Sequence, residues 1–196
     1  MELQADQELM LRVRGGDMAA FEGLFARYGR ALSNFFFRLT WDRAFSEDLV
    51  QETFLRVWNG RMGYRPQGKF TTWLFQIAKN HWLNELEKRR RRIAPISLDA
   101  AGRSEGNGLR DAVPDAARGP AGEAMNRELS REIGAAVAGL TEKLRVVFVL
   151  GQVRGMKYAD IAEILGIPEG TVKSRMSNAE KALRGRLSGW LARSGE

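Results

Sequence analysis

The sequence predicts an all-α protein with two helical domains joined by a flexible linker. Apolar residues recur at helical spacing along most of the chain, and no stretch shows the strict alternation of a strand. Between Ile93 and Met125 that spacing stops. The segment "IAPISLDAAGRSEGNGLRDAVPDAARGPAGEAM" holds three of the five prolines and is rich in Gly and Ala, which is the composition of a linker. Charge divides at the same places. Residues 1–92 carry 16 Lys and Arg against 11 Asp and Glu, residues 93–125 carry 3 against 5, and residues 126–196 carry 12 against 8. The expected domains are therefore 1–92 and 126–196, with the linker at 93–125.

Each element has its own signal. Leu9, Met10 and Val13 predict a short first helix. Asp17 is a good N-cap for a second, whose apolar positions are Phe21, Leu24, Phe25, Tyr28, Leu32, Phe35 and Phe36. Ser46 is expected to cap a third, with Glu47 and Asp48 in a first turn that favours carboxylates. Val50, Phe54, Val57 and Trp58 form the inward stripe of that helix, and Asp48, Gln51, Glu52, Leu55 and Asn59 lie opposite. An acidic face with an exposed leucine suits a protein partner better than DNA, although a solvated face has the same pattern. A loop, "GRMGYRPQGK", spans Gly60 to Lys69.

The fourth helix starts near Thr71, takes Leu74, Ile77 and Ala78 into the core, and continues into the basic run Lys88–Arg92. That run suits phosphate contact. Trp73 and Trp82 stand among Lys79, Asn80 and Asn84. Such a mixture fits stacking on single-stranded bases or plain core packing. His81 reads as a surface or packing residue.

The C-terminal part carries the sharpest motif. In "YADIAEILGIPEGTVKSRM", Ile161, Ala162 and Leu165 share one face and Gly166 ends the helix. Glycine enters the left-handed turn without a Cβ penalty. Ile167 and Val172 pin the next helix, and Pro168 suits its first turn. These spacings match a helix-turn-helix, whose second helix enters the major groove by its N-terminal part. A plain helical hairpin is the competing reading. Glu169, Thr171, Lys173, Ser174 and Arg175 face outward; Lys173 and Arg175 suit phosphate or guanine, and Thr171 and Ser174 suit phosphate. Arg184 and Arg186 read as solvated or loosely phosphate-facing.

Totals narrow the function classes. The net charge of +7 points to a polyanionic partner. There is no cysteine and a single histidine, His81. A disulfide framework, a thiolate zinc site and a Ser-His-Asp triad away from His81 are thereby excluded, and neither a metal nor a cofactor is expected. Met1 is followed by Glu2 and Asp6 rather than by the basic and apolar regions of a signal peptide. No apolar run approaches membrane-spanning length, so the expectation is a soluble cytoplasmic protein without membrane insertion.

Three segments, "AFSEDLVQETFLRVW", "KFTTWLFQIAKN" and "LTEKLRVVFVLGQVRGMKYADIAEILGIPEGTVKSRM", occur in an order that resembles bacterial RNA polymerase sigma factors of the extracytoplasmic-function type. The resemblance implies a sigma region two in the first domain and a region four in the second, with no enzymatic activity. It implies that Asp48, Gln51, Glu52 and Leu55 dock on the clamp helices of core polymerase. It places minus-ten DNA at Tyr64, Arg65, Lys69, Trp73, Gln76, Lys79, Asn80, Asn84, Arg89 and Arg90. It assigns the minus-thirty-five duplex to Glu169, Thr171, Lys173, Ser174 and Arg175, while the other face of that domain touches the polymerase flap. An anti-sigma factor is a further expected partner.

Two departures stand out. Thr141 replaces a usual proline. Ser177, Asn178, Ala179 and Glu180 stand where the family usually has a basic or His-containing stretch, so Glu180 is not assigned to DNA, whereas Asn178 is a candidate to read adenine bidentately in the minus-thirty-five duplex. A stand-alone helix-turn-helix regulator is the alternative from another class, and a degenerate paralogue that titrates an anti-sigma factor is a third.

Overall fold

The computed structural model describes residues 2–93 and 120–194, and side chains from 5 to 91 and from 128 to 188. Within these ranges the chain forms eight α-helices and no strand. They are α1 (Glu2–Arg14), α2 (Met18–Thr40), α3 (Arg43–Asn59), α4 (Phe70–Ile93), α5 (Pro120–Ala138), α6 (Glu142–Gly151), α7 (Tyr158–Leu165) and α8 (Glu169–Ser194). A short 3₁₀ turn, Arg61–Gly63, follows α3. Two compact units result, one built chiefly from α1–α4 and the other chiefly from α5–α8.

The first unit is joined at its start by one residue with two tasks. Gly16 takes φ +91, so α1 closes with the paired bonds Gly16 N–H to Val13 O (2.9 Å) and Asp17 N–H to Arg12 O (3.1 Å). Asp17 then caps α2 by accepting from the Ala20 N–H at 3.0 Å, as the sequence predicts. Buried Asp6 accepts from Arg27 and from the Tyr28 hydroxyl and so fixes α1 to α2. Leu24, Leu32, Phe35, Phe36, Val57, Leu74 and Phe75 fill the core, with Phe35 and Phe75 edge-on at 5.3 Å. Phe25 departs from its expected inward place and is 44% exposed, its ring tilted against Phe54 at 4.7 Å. Helix α2 ends on Trp41, a non-glycine residue at φ +54 whose N–H reaches Phe37 O at 2.7 Å.

Two boundaries differ from expectation. Helix α3 begins at Arg43, so Ser46 does not cap it but lies inside it, buried, and Glu47 and Asp48 fall beyond its first turn. Helix α5 begins at Pro120, so residues 120–125 of the expected linker are helical, and Ile93 closes α4. The remainder of that linker, 94–119, lies outside the described residues.

In the second unit α8 packs on both α5 and α6. Val172, Met176, Ala179 and Leu183 form its buried stripe, spaced four, three and four apart as one helical face requires. Val147 and Leu150 of α6 and Ile161 and Ile164 of α7 are buried as well. Thr141 stands at the N-cap of α6 without a side-chain cap bond. Arg186 is not a loose surface group: it donates to Gly139 O at 3.0 Å and occupies the space a side chain at 139 would fill. Arg145 also binds this turn, donating to Ala138 O and to Leu140 O.

Candidate nucleic-acid interface

The turn between α7 and α8 is built from backbone geometry. Gly166 sits at φ +65 with nothing near the place of a Cβ. Gly166 N–H binds Glu163 O (3.3 Å) and Ile167 N–H binds Ala162 O (3.1 Å), the bond pair that closes a helix through a left-handed residue. At the other end of α7, Asp160 accepts from the Lys157 N–H at 2.9 Å. Pro168 lies just before α8 rather than within its first turn, and its carbonyl accepts from Thr171 and Val172.

Rotation of about 100° per residue sorts the outward residues of α8 into two flanks. Thr171, Ser174, Arg175 and Asn178 share one. Ser174 and Asn178 are exposed and Thr171 and Arg175 are half-buried. The Ser174 hydroxyl donates to Thr171 O at 3.0 Å. Glu169, Lys173 and Glu180 share the other flank, where Lys173 Nζ lies 3.0 Å from Glu169 Oε1. The lysine is thus already paired when no DNA is present.

On α3, Asp48, Gln51 and Leu55 are exposed and Glu52 is half-buried. Their spacing places them on one side of the helix, and Glu52 pairs with Arg56 at 3.1 Å. Leu55 is 55% exposed, and Met62 in the following turn is 71% exposed. No periodic signal marks Met62, because it stands alone among polar loop residues.

The residues assigned to minus-ten DNA are placed unevenly. Trp73, Gln76, Asn80 and Asn84 fall on one stripe of α4, the asparagines exposed and the other two half-buried. Trp73 is edge-on to Tyr64 at 4.9 Å. Tyr64 itself is buried, so its ring packs in the core instead of being presented. Burial, then the nearby Asp6, raise its hydroxyl pKa. Lys79 is half-buried to the side of the stripe, and burial lowers its pKa. Arg65 is exposed and Lys69 half-buried. Arg89 lies over the Phe45 ring at 3.3 Å, while Arg90 is exposed. Lys88 and Arg91 pair with Glu85 and Glu87 on the same helix.

Behind α3, His81 is 4% exposed and its Nδ1 has no hydrogen-bond partner. Burial first, then Arg56, hold its pKa below 6.5; Glu85 and Glu52 act the other way and Lys88 adds to the lowering. Among the described residues no cluster of His, Asp or Glu could hold a metal ion, and no helix is long and apolar enough to cross a membrane.

Comparison with known proteins gives the frame for these surfaces. Residues 24–92 match the sigma-70 region 2 family and residues 130–183 match sigma-70 region 4. An ECF RNA polymerase sigma-E factor of Haemophilus influenzae is 32% identical over 189 residues, 95% of this chain and 97% of that protein. The chain belongs to the extracytoplasmic-function RNA polymerase sigma factors. The all-α fold of this sigma factor agrees with solved relatives. The structure of CnrH in complex with the cytosolic domain of CnrY matches with TM-score 0.65 at 25% identity, over 94% of this chain and 98% of that one. The sigma factor RpoE in complex with the anti-sigma factor NepR from Bartonella quintana matches in fold with TM-score 0.64 at 24% identity, over 86% and 96%.

Proposed function

We propose that this sigma factor binds core RNA polymerase through Asp48, Gln51, Glu52 and Leu55 of α3 and directs it to a two-part promoter. Residues 1–92 serve the polymerase and the minus-ten element, and residues 126–196 serve the minus-thirty-five element. The observation that carries this reading is the separation of chemistries within one chain. One face is acidic with an exposed leucine and suits protein. Two others, on α4 and α8, present amides, hydroxyls and cations and suit nucleic acid.

On α4, Trp73, Gln76, Asn80 and Asn84 receive an unstacked base of the non-template strand, with Arg65, Lys69, Lys79 and Arg90 nearby for phosphate. Holding a base outside the duplex uses binding energy for strand separation. The factor therefore works as an initiation factor in the cytoplasm and not as an enzyme. On α8, the Thr171, Ser174, Arg175 and Asn178 flank reads the minus-thirty-five duplex and Lys173 holds phosphate. The solved relative bound to an anti-sigma factor supports control by a partner of that kind.

The test is transcription of fragmented genomic DNA by core polymerase with and without the chain, followed by mapping of start sites. The expected starts share a common pair of upstream elements. Failure to initiate anywhere, while a control sigma factor succeeds, overturns the proposal.

A further inference from the structure

The exposed apolar surface at the end of α3 reaches past the helix itself. Leu55 and Met62, at 55% and 71%, are the two most exposed large apolar side chains among the described residues. The backbone between them stays right-handed. Gly60 is at φ −84, ψ −1, and its N–H binds Arg56 O at 2.8 Å. The next bonds, Gly63 N–H to Gly60 O and Tyr64 N–H to Arg61 O, wind the chain into the 3₁₀ turn. On a common axis, five ideal α steps and two 3₁₀ steps would leave Met62 about 20° from Leu55 around the helix and roughly 11.5 Å along it.

The turn is fixed from several sides. Arg61 donates to Trp58 O at 2.8 Å while its guanidinium lies 4.2 Å from the centre of the Trp58 ring. Helix α1 packs on the turn, and Tyr64 just beyond it is buried. Met62 is therefore held outward by structure that costs little further ordering when a partner arrives.

We infer that Met62 is a second apolar anchor for core RNA polymerase, continuing the face of Asp48, Glu52 and Leu55 beyond α3. The inference rests on the reading of α3 as the polymerase-docking helix. Toward α3 the surroundings suit a protein partner rather than DNA, whereas Arg65, three residues beyond Met62, is exposed on the side assigned to phosphate. Asp48 and Glu52 on the same side repel phosphate, Arg56 is drawn to Glu52, and Arg61 is turned onto Trp58. The complementary surface is a polymerase helix with basic residues opposite the carboxylates and apolar residues opposite Leu55 and Met62. A methionine adapts its unbranched side chain to such a surface and contributes well when fully covered.

The experiment measures binding of fluorescently labelled full-length chain to purified core polymerase without DNA, for wild type, Leu55→Ser and Met62→Ser. Both variants change exposed side chains, and circular dichroism checks that each is folded. Met62→Ser is expected to bind roughly tenfold more weakly, with little dependence on salt. Leu55→Ser weakened and Met62→Ser unchanged would overturn the inference while leaving α3 as the docking helix. Wild-type binding unaffected by either substitution would overturn both. A second measurement, permanganate detection of promoter opening by the Met62→Ser holoenzyme, covers the remaining case: unchanged polymerase affinity with impaired opening would move Met62 to the DNA and refute the inference.

Discussion

Replacing Lys173 by alanine separates a phosphate contact from a base contact by its salt dependence. Lys173 is 61% exposed and sits 3.0 Å from Glu169. Leaving that pair for a phosphate forfeits an exposed i,i+4 interaction of about 0.3–0.5 kcal/mol, near a factor of two in affinity. Each neutralised phosphate contributes about 0.9 to the slope of log affinity against log salt, so one contact is worth about 3.5-fold between 50 and 200 mM. Wild-type and Lys173→Ala holoenzymes should therefore differ most at low salt, and their affinity ratio should shrink about 3.5-fold over that range. Polymerase makes its own phosphate contacts, but these are common to both holoenzymes and cancel in the ratio. Glu169→Gln is the companion measurement: it releases Lys173 and should raise affinity for unrelated duplex by up to about twofold. Fluorescence anisotropy of labelled promoter duplex across a salt series measures both. A ratio that stays constant with salt refutes the phosphate assignment.

Three further outcomes are expected. Asn80→Ala should reduce permanganate-detected opening of duplex promoters and recover in part on a mismatched bubble; equality with wild type on both templates removes Asn80 from the minus-ten site. Gly166→Ala should cost about 1–2 kcal/mol through its left-handed backbone alone, since no atom lies within 4 Å of the added Cβ. Gly166→Asn should cost less, and equal melting temperatures for all three proteins would contradict the turn geometry. For His81, the folded pKa lies below 6.5, so the unfolded chain takes up the proton first. Stability falls as pH drops through 6.5 and levels off below the folded value. Thermal melts should show a smaller acid-side loss for His81→Gln than for wild type, and parallel losses would rule out His81 as the source.

What could be read from the sequence was what neighbours in sequence decide. Asp17 and Gly166 were legible because a cap and a left-handed turn depend on a few consecutive residues. The stripe of Val50, Phe54 and Val57 was legible because helical period fixes which side faces inward. Ser46 misled because a serine followed by two acids has the look of a helix start, yet the chain enters α3 three residues earlier and buries the serine. The start of α5 was missed although Pro120 is well suited to a first helical position, because the Gly and Ala around it read as linker. Tyr64 and Arg186 depended on distant partners. Tyr64 packs against Trp73 and Phe70, and Arg186 reaches a carbonyl 47 residues away. Neither contact has a local signature.

The two flanks of α8 bear on the segment where the sequence leaves its family pattern. Asn178 lies on the flank of Thr171, Ser174 and Arg175, whereas Glu180 lies with Lys173 and Glu169. On the proposed reading these two residues act on different quantities. A carboxylate at Glu180 opposes phosphate on the flank where Lys173 holds it, so it weakens attachment to any duplex alike and shortens residence on wrong sites. An amide at Asn178 offers one donor and one acceptor to a base edge, a pairing that adenine satisfies, so it changes which duplex is preferred. The carboxylate at Glu180 therefore lowers the electrostatic share of binding just where a base-specific contact is added. A helix so arranged discriminates by sequence more than by charge, and relies on polymerase and the minus-ten contacts for the rest of its hold.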